Sequence, residues 1–98
     1  MAKIQEVRYY PGKSADDCFA VESKAFEKAG FQIWKKREIA WLVQAQRTEN
    51  GKKIEANMTA RPGGKTAVTL SISCNEISEA DLKTYAETIF SAFEAEIK

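Results

Sequence analysis

The sequence predicts an α+β domain: an antiparallel sheet of about five strands, in the order β-α-β-β-β-β-α, with two helices packed on one face. Three observations carry this expectation. Residues 14–30 and 78–98 each show one apolar stripe at helical spacing behind a capping signal. The remaining segments alternate apolar and polar residues with period two. Asn50-Gly51 joins two of those alternating runs, the strongest short hairpin signal a sequence can carry. With 98 residues, no linker and no repeat, the chain reads as one domain, 1–98.

The elements follow in order. Lys3 to Tyr10 reads as a strand rich in β-formers, ended by Pro11-Gly12, although its alternation is imperfect. Ser14-x-x-Asp17 opens the first helix, with Asp in place of the longer Glu of a capping box. Ala15, Cys18, Phe19, Val21, Ala25, Phe26 and Ala29 form its apolar face. Asp16, Asp17, Glu22, Lys24, Glu27 and Lys28 are expected off it, and Gly30 stands where a C′ glycine belongs. From Phe31 the period becomes two, with a turn expected at Lys36-Arg37-Glu38. A two-residue turn at Asn50-Gly51 places Ala45 opposite Ala56, Val43 opposite Met58 and Trp41 opposite Ala60, so the apolar sets coincide on one face. Matching faces across Pro62-Gly63-Gly64 require an even register. A three-residue loop satisfies it and puts Val68 opposite Met58. Val68, Leu70, Ile72 and Cys74 then point inward. Ser78-x-x-Asp81 opens the final helix, whose stripe is Leu82, Tyr85, Ala86, Ile89, Phe90, Phe93 and Ile97. Burial of three apolar surfaces at once places both helices on one sheet face and leaves the other to solvent. The alternation leaves open where the first strand sits.

Several function classes lose support at this stage. The chain has no histidine, which removes the commonest general base and metal ligand. Cys18 and Cys74 fall on inward positions and read as core residues, and two thiols without histidine do not complete a zinc site. Asp16-Asp17 and Glu79/Asp81 lie in first helical turns, where they complement the helix dipole. Pro62-Gly63-Gly64-Lys65-Thr66 echoes a phosphate loop without its spacing, and a strand follows it. No catalytic, cofactor-binding or metal residues are therefore assigned, and no cofactor is expected. An enzyme would need a tyrosine, a cysteine or a carboxylate with a shifted pKa in a deep pocket. No apolar run is long enough to span a membrane. As written the chain reads as cytoplasmic, or as periplasmic if a targeting segment has been removed.

Charge placement is more informative than the net +1. Residues 14–30 sum to −2 and 78–98 to −3, whereas 31–66 sum to +5. Meander geometry brings the turns at Lys35-Lys36-Arg37 and Arg61–Lys65 to one end of the sheet. The candidate interaction patch there comprises Trp34, Lys35, Lys36, Arg37, Ala40, Leu42, Thr59, Arg61, Lys65 and Ala67, an apolar centre rimmed by positive charge. The leading expectation is a non-enzymatic interaction or self-association module with a protein partner or a second copy of itself. The alternative is weak nucleic-acid or anionic-ligand binding at the same basic end, without a motif behind it.

Residues 14–98 invite comparison with double-stranded-RNA-binding domains, but the last helix opens Ser78-Glu79-Ala80-Asp81 where those carry a basic cluster. Tyr10-Pro11 before the first helix, Ala29-Gly30-Phe31 after it, and strands leading into a capped helix resemble small bacterial α+β domains of unknown function, some of them lipoprotein or periplasmic domains. The likeness covers nearly the whole chain as layout, and it implies no catalytic residues.

Overall fold

Five strands hydrogen-bond into one sheet, every neighbouring pair antiparallel, with the first and second strands of the chain at its two edges. The computed structural model describes residues 2–97. The elements are β1 (Ala2–Tyr10), α1 (Ala15–Lys28), β2 (Gln32–Arg37), β3 (Leu42–Glu49), β4 (Lys52–Arg61), β5 (Thr66–Cys74) and α2 (Glu79–Ile97). The expected fold class is the observed one. Both helices pack on one sheet face, over a core that includes Phe26, Phe90, Phe93, Met58, Leu70 and Ile72.

Local chemistry explains the element ends. Ser14 Oγ accepts from the Asp17 amide at 3.0 Å and Asp17 Oδ2 accepts from the Ser14 amide at 3.2 Å, a reciprocal cap completed despite the short acid. The Ser14 backbone amide first, and then the Ser14 hydroxyl, hold the Asp17 carboxyl below its ordinary range. At the other end of α1, Gly30 has φ +83° and its amide reaches Glu27 O. The Phe31 amide reaches Phe26 O at 2.9 Å, and the Phe26 and Phe31 rings lie 5.8 Å apart. This is a Schellman end with its hydrophobic contact. Asn50 (φ 53°) and Gly51 (φ 76°) both take the left-handed conformation a type I′ turn requires. The β3–β4 register follows from that turn as expected, with Ala45 opposite Ala56 and Val43 opposite Met58.

Four expectations need correction. Val68 lies opposite Ala60, and Met58 faces Leu70. The connection runs from Pro62 to Lys65, because Thr66 is drawn into β5 with its hydroxyl donating to Lys13 O at 2.5 Å. The slip is two residues, so the parity survives. The turn placed at Lys36-Arg37-Glu38 lies later: β2 extends to Arg37, opposite Leu42, and a 3-10 turn covers Glu38–Ala40. Trp41, expected within a strand, closes that turn at φ 48°. Its indole Nε1 donates to Asp16 Oδ1 at 2.9 Å and its carbonyl accepts from the Ala60 amide, which together offset the unfavourable backbone. Finally, Glu22 is fully buried on the inner face of α1. It occupies the i+4 position from Cys18 and i−4 from Phe26, so helical geometry carries it inward with its neighbours.

The structure also places β1 at the sheet edge beside β5. Its register sets Ile4 opposite Ile72, Glu6 opposite Leu70 and Arg8 opposite Val68, so Ala2, Ile4, Glu6, Arg8 and Tyr10 face the helices. Arg8 lies over the Phe90 ring, 4.3 Å from its centroid, and donates to Glu94 at 3.3 Å. The Tyr10 hydroxyl also donates to Glu94, at 3.1 Å. Burial first, and then the Glu94 charge, raise the Tyr10 phenol above its ordinary range.

Gly30→Ala is expected to cost more stability than Gly12→Ala, although both glycines have φ +83°. A Cβ at Gly30 meets Arg47 Nη1 at 2.9 Å, and that atom is held by its 2.8 Å bond to Ala29 O; a Cβ at Gly12 meets nothing within 4 Å. Backbone strain alone should cost about 1 kcal/mol at Gly12, with about 1 kcal/mol more at Gly30. Urea denaturation of the two variants measures the difference.

Candidate functional site

The outer sheet face is built by register. Val7 lies opposite Thr69, Thr69 opposite Thr59, Thr59 opposite Leu42 and Leu42 opposite Arg37, so one row crosses all five strands. The adjoining row is Tyr9, Ala67 and Arg61. Apolar side chains stand out to solvent along this end: Val7 is 44% exposed, Tyr9 61% and Trp34 56%. Single exposed apolar residues are ordinary, whereas several in register with charged neighbours form a surface.

The ten residues singled out from the sequence fall as follows. Leu42, Thr59, Arg61 and Ala67 occupy the outer rows, and Lys35 and Arg37 join them at the β2 edge. Trp34 stands in a bulge between Ile33, opposite Ala45, and Lys35, opposite Gln44. Ala40 is exposed in the 3-10 turn at the same end, and Lys65 in the β4–β5 connection. Lys36 has helix-side parity, opposite Val43, with its Nζ 5.9 Å from the Phe19 ring centroid. Three further residues of this end are not legible in the sequence. Val7 and Tyr9 belong to it because β1 pairs with β5, and Ile39, 90% exposed, sits beside Ala40. Glu6 and Arg8 on the helix side of β1 blur the alternation that would mark Val7 and Tyr9 as outward. Near these rows the outer positions carry Lys35, Arg37 and Arg61; Lys3 and Lys53 stand toward the opposite end of the face, where Lys53 lies 3.6 Å from Glu55.

The interior holds one polar anomaly. Among the described residues neither Glu22 carboxyl oxygen has a hydrogen-bond partner, and the adjacent Ser23 Oγ has none either. Burial pushes the Glu22 carboxyl up to about 9, so it is uncharged at neutral pH. One turn earlier, the free thiol of Cys18 is pushed up to about 11, first by its own burial and then by Glu22 and Asp17. A buried, protonated thiol is a poor nucleophile. Cys74 is also free and buried.

The opposite end of the sheet holds a cleft of about 330 Å³ between the β3–β4 turn and α2, bounded by Glu49, Lys52, Asp81 and Tyr85 among others. Several of its side chains are engaged in fastening the helices. Tyr85 OH donates to Glu49 Oε2, Arg47 reaches Glu49 at 3.4 Å and Ala29 O at 2.8 Å, and the Arg47 guanidinium lies over the Tyr85 ring. Among the described residues no cluster of three or more His, Cys, Asp or Glu is placed to hold a metal, and no helix is long and apolar enough to cross a membrane.

The raised Glu22 carboxyl makes a pH prediction. The folded chain binds the Glu22 proton more tightly than the unfolded chain does. Its contribution is therefore fully present below about 4.5 and is lost as pH rises toward about 9. At pH 7 the loss amounts to about 3 kcal/mol. Glu22→Gln should flatten the fall in urea midpoint between pH 5 and pH 9, and it should unfold later than the parent at pH 8. Parallel slopes for the two proteins would contradict the assignment.

No family model matches the chain, and no curated protein does. Solved structures do. Ara h 8.0201 superimposes with a TM-score of 0.67 at 11% identity, covering 98% of this chain and 97% of that one. TTHA0849 from Thermus thermophilus gives a TM-score of 0.51 at 12% identity, again over 98% and 97% of the two chains. At such identities the likeness is one of fold alone: this chain shares its arrangement of antiparallel sheet and helices with both structures.

Proposed function

We propose that the domain is a protein-interaction module that docks an acidic, partly apolar protein surface on the outer face of its sheet. The observation that supports this most is the in-register row from Val7 through Leu42 to Arg37, with Tyr9, Ala67 and Trp34 beside it. Five strands at about 4.8 Å spacing and nine residues at about 3.4 Å make a face of roughly 600 Å² in plan. That approaches the ~800 Å² each partner contributes to a standard interface. The basic side chains Lys35, Arg37 and Arg61 beside that row select an acidic partner and disfavour a face-to-face pairing of two such sheets. Outward positions otherwise rich in Gln, Asn, Thr and Ser offer few aromatic platforms for unpaired bases, which favours protein over nucleic acid.

A second reading is favoured by Glu22 alone. An uncharged carboxyl without a partner, enclosed between sheet and helices, would hydrogen-bond the polar end of an apolar small molecule seated there. That reading requires Phe26, Phe90 and Phe93 to part, since they now fill the space.

The probes are an acidic peptide with interleaved leucine and phenylalanine, an oligonucleotide of equal charge, and a long-chain alcohol, each titrated calorimetrically. The peptide should bind saturably, and Leu42→Glu or Trp34→Glu should weaken it at least about tenfold. Tighter binding of the oligonucleotide with a steep salt dependence would overturn the first reading in favour of nucleic acid. Alcohol binding lost in Glu22→Leu, with no peptide binding, would transfer the function to the interior.

A further inference from the structure

The two sheet edges differ in a way that bears on self-association. β2 is six residues long, bulged at Trp34 and studded with Lys35, Lys36 and Arg37, all devices that keep an edge from pairing. β1 is nine residues long, pairs with β5 without a break from Ala2 to Tyr10, and contains no proline or bulge. Its free side therefore presents an uninterrupted row of backbone donors and acceptors.

We infer that β1 is a homodimer edge, on which a second copy of the chain adds antiparallel about a two-fold axis at Val7. Side-chain parity restricts the registers. A two-fold axis normal to the sheet places residues of equal parity opposite each other, so each inward row continues as an inward row. Centring on Val7 sets Val7 opposite Val7 of the second copy, Gln5 opposite Tyr9, Glu6 opposite Arg8 and Ile4 opposite Tyr10. On the helix side this gives two Glu6–Arg8 ion pairs across the axis, flanked by two Ile4–Tyr10 contacts. Centring one residue earlier, on Glu6, would instead set the two Glu6 carboxylates against each other.

The monomer leaves these groups ready for such pairing. Arg8 Nη1 is engaged by Glu94 at 3.3 Å, while Nη2 stands 4.0 Å from Glu6 of its own strand. Glu94 and the Phe90 ring thus hold the guanidinium in place, with its second nitrogen available to a carboxylate across the axis. The joined ladder from Ile4 to Tyr10 adds about six to eight backbone hydrogen bonds. It also makes one ten-stranded sheet on which two outer faces meet at Val7 and Tyr9. The edge relies on the helix-side residues Glu6 and Arg8, so the dimer and the outer-face reading can fail separately.

Charge exchange tests the dimer. Glu6→Arg and Arg8→Glu should each raise its dissociation constant about tenfold or more in sedimentation equilibrium. Mixed in equal amounts, the two variants should form a heterodimer, because the paired arginines of one chain then meet the paired glutamates of the other. Circular dichroism of each variant checks folding. A second test does not touch the charges: Val7→Cys should cross-link to itself under mild oxidation much faster than Lys53→Cys on β4. A chain monomeric up to about 1 mM, or equal cross-linking of the two cysteine variants, would overturn the inference.

Discussion

The antiparallel ladder running from β1 to β2 holds one parity of residue against the helices on β1, β3, β4 and β5, and changes parity only at the Trp34 bulge of β2; the rest of the structure depends on that alternation. Ile4, Ile72, Ala56 and Ala45 lie in one inward line across four strands. The aromatic side chains of α1 and α2 close over that side. The opposite parity is thereby committed to solvent, whatever its chemistry. Val7, Tyr9 and Leu42 are outward because their neighbours in sequence are inward, and hydrophobicity alone would have placed them inside. A domain of this size has little core to spare, so apolar side chains retained on the outer face ask for an explanation in binding.

Glu22 is where the ladder's logic and the core's chemistry conflict. Most of the interior is aliphatic or aromatic, and a carboxyl without a partner there lowers stability at neutral pH. The contrast with Arg8 is instructive. That residue is also on the helix side, but it has an aromatic face beneath it and carboxylates beside it. Both are charged residue types carried inward by periodicity. One is accommodated by neighbours, and the other is accommodated only by losing its charge. Departures from local consistency of this kind are expected to concentrate where a protein does something other than fold.

Much of the architecture was legible in the sequence because local chemistry governs it. Asn50-Gly51 specifies a type I′ turn, and that turn sets the β3–β4 register residue by residue. Ser14 with Asp17, and Gly30 with Phe31, mark the two ends of α1 through their own hydrogen bonds. What escaped was decided at long range. The Val68 register depends on Thr66 reaching Lys13, and Trp41 takes its left-handed backbone in a site where Asp16 receives its indole. β1 pairs with β5, a strand from the far half of the chain. Its polar inward face, Glu6, Arg8 and Tyr10, is explained only by Glu94 and Phe90 of the last helix. The basic end of the outer face was readable from Arg37, Leu42, Thr59, Arg61 and Ala67. Its continuation through Val7 and Tyr9 was not, since it needs β1 in place.

On this view the inner face serves stability and the outer face serves recognition. Amide chemical-shift mapping during titration with the acidic peptide tests that division most directly. Shifts should concentrate at Val7, Tyr9, Leu42, Thr59 and Ala67, with the inward Val43, Met58 and Leu70 little changed. Shifts centred on Glu22, Phe90 and their neighbours, with a silent outer face, would contradict it.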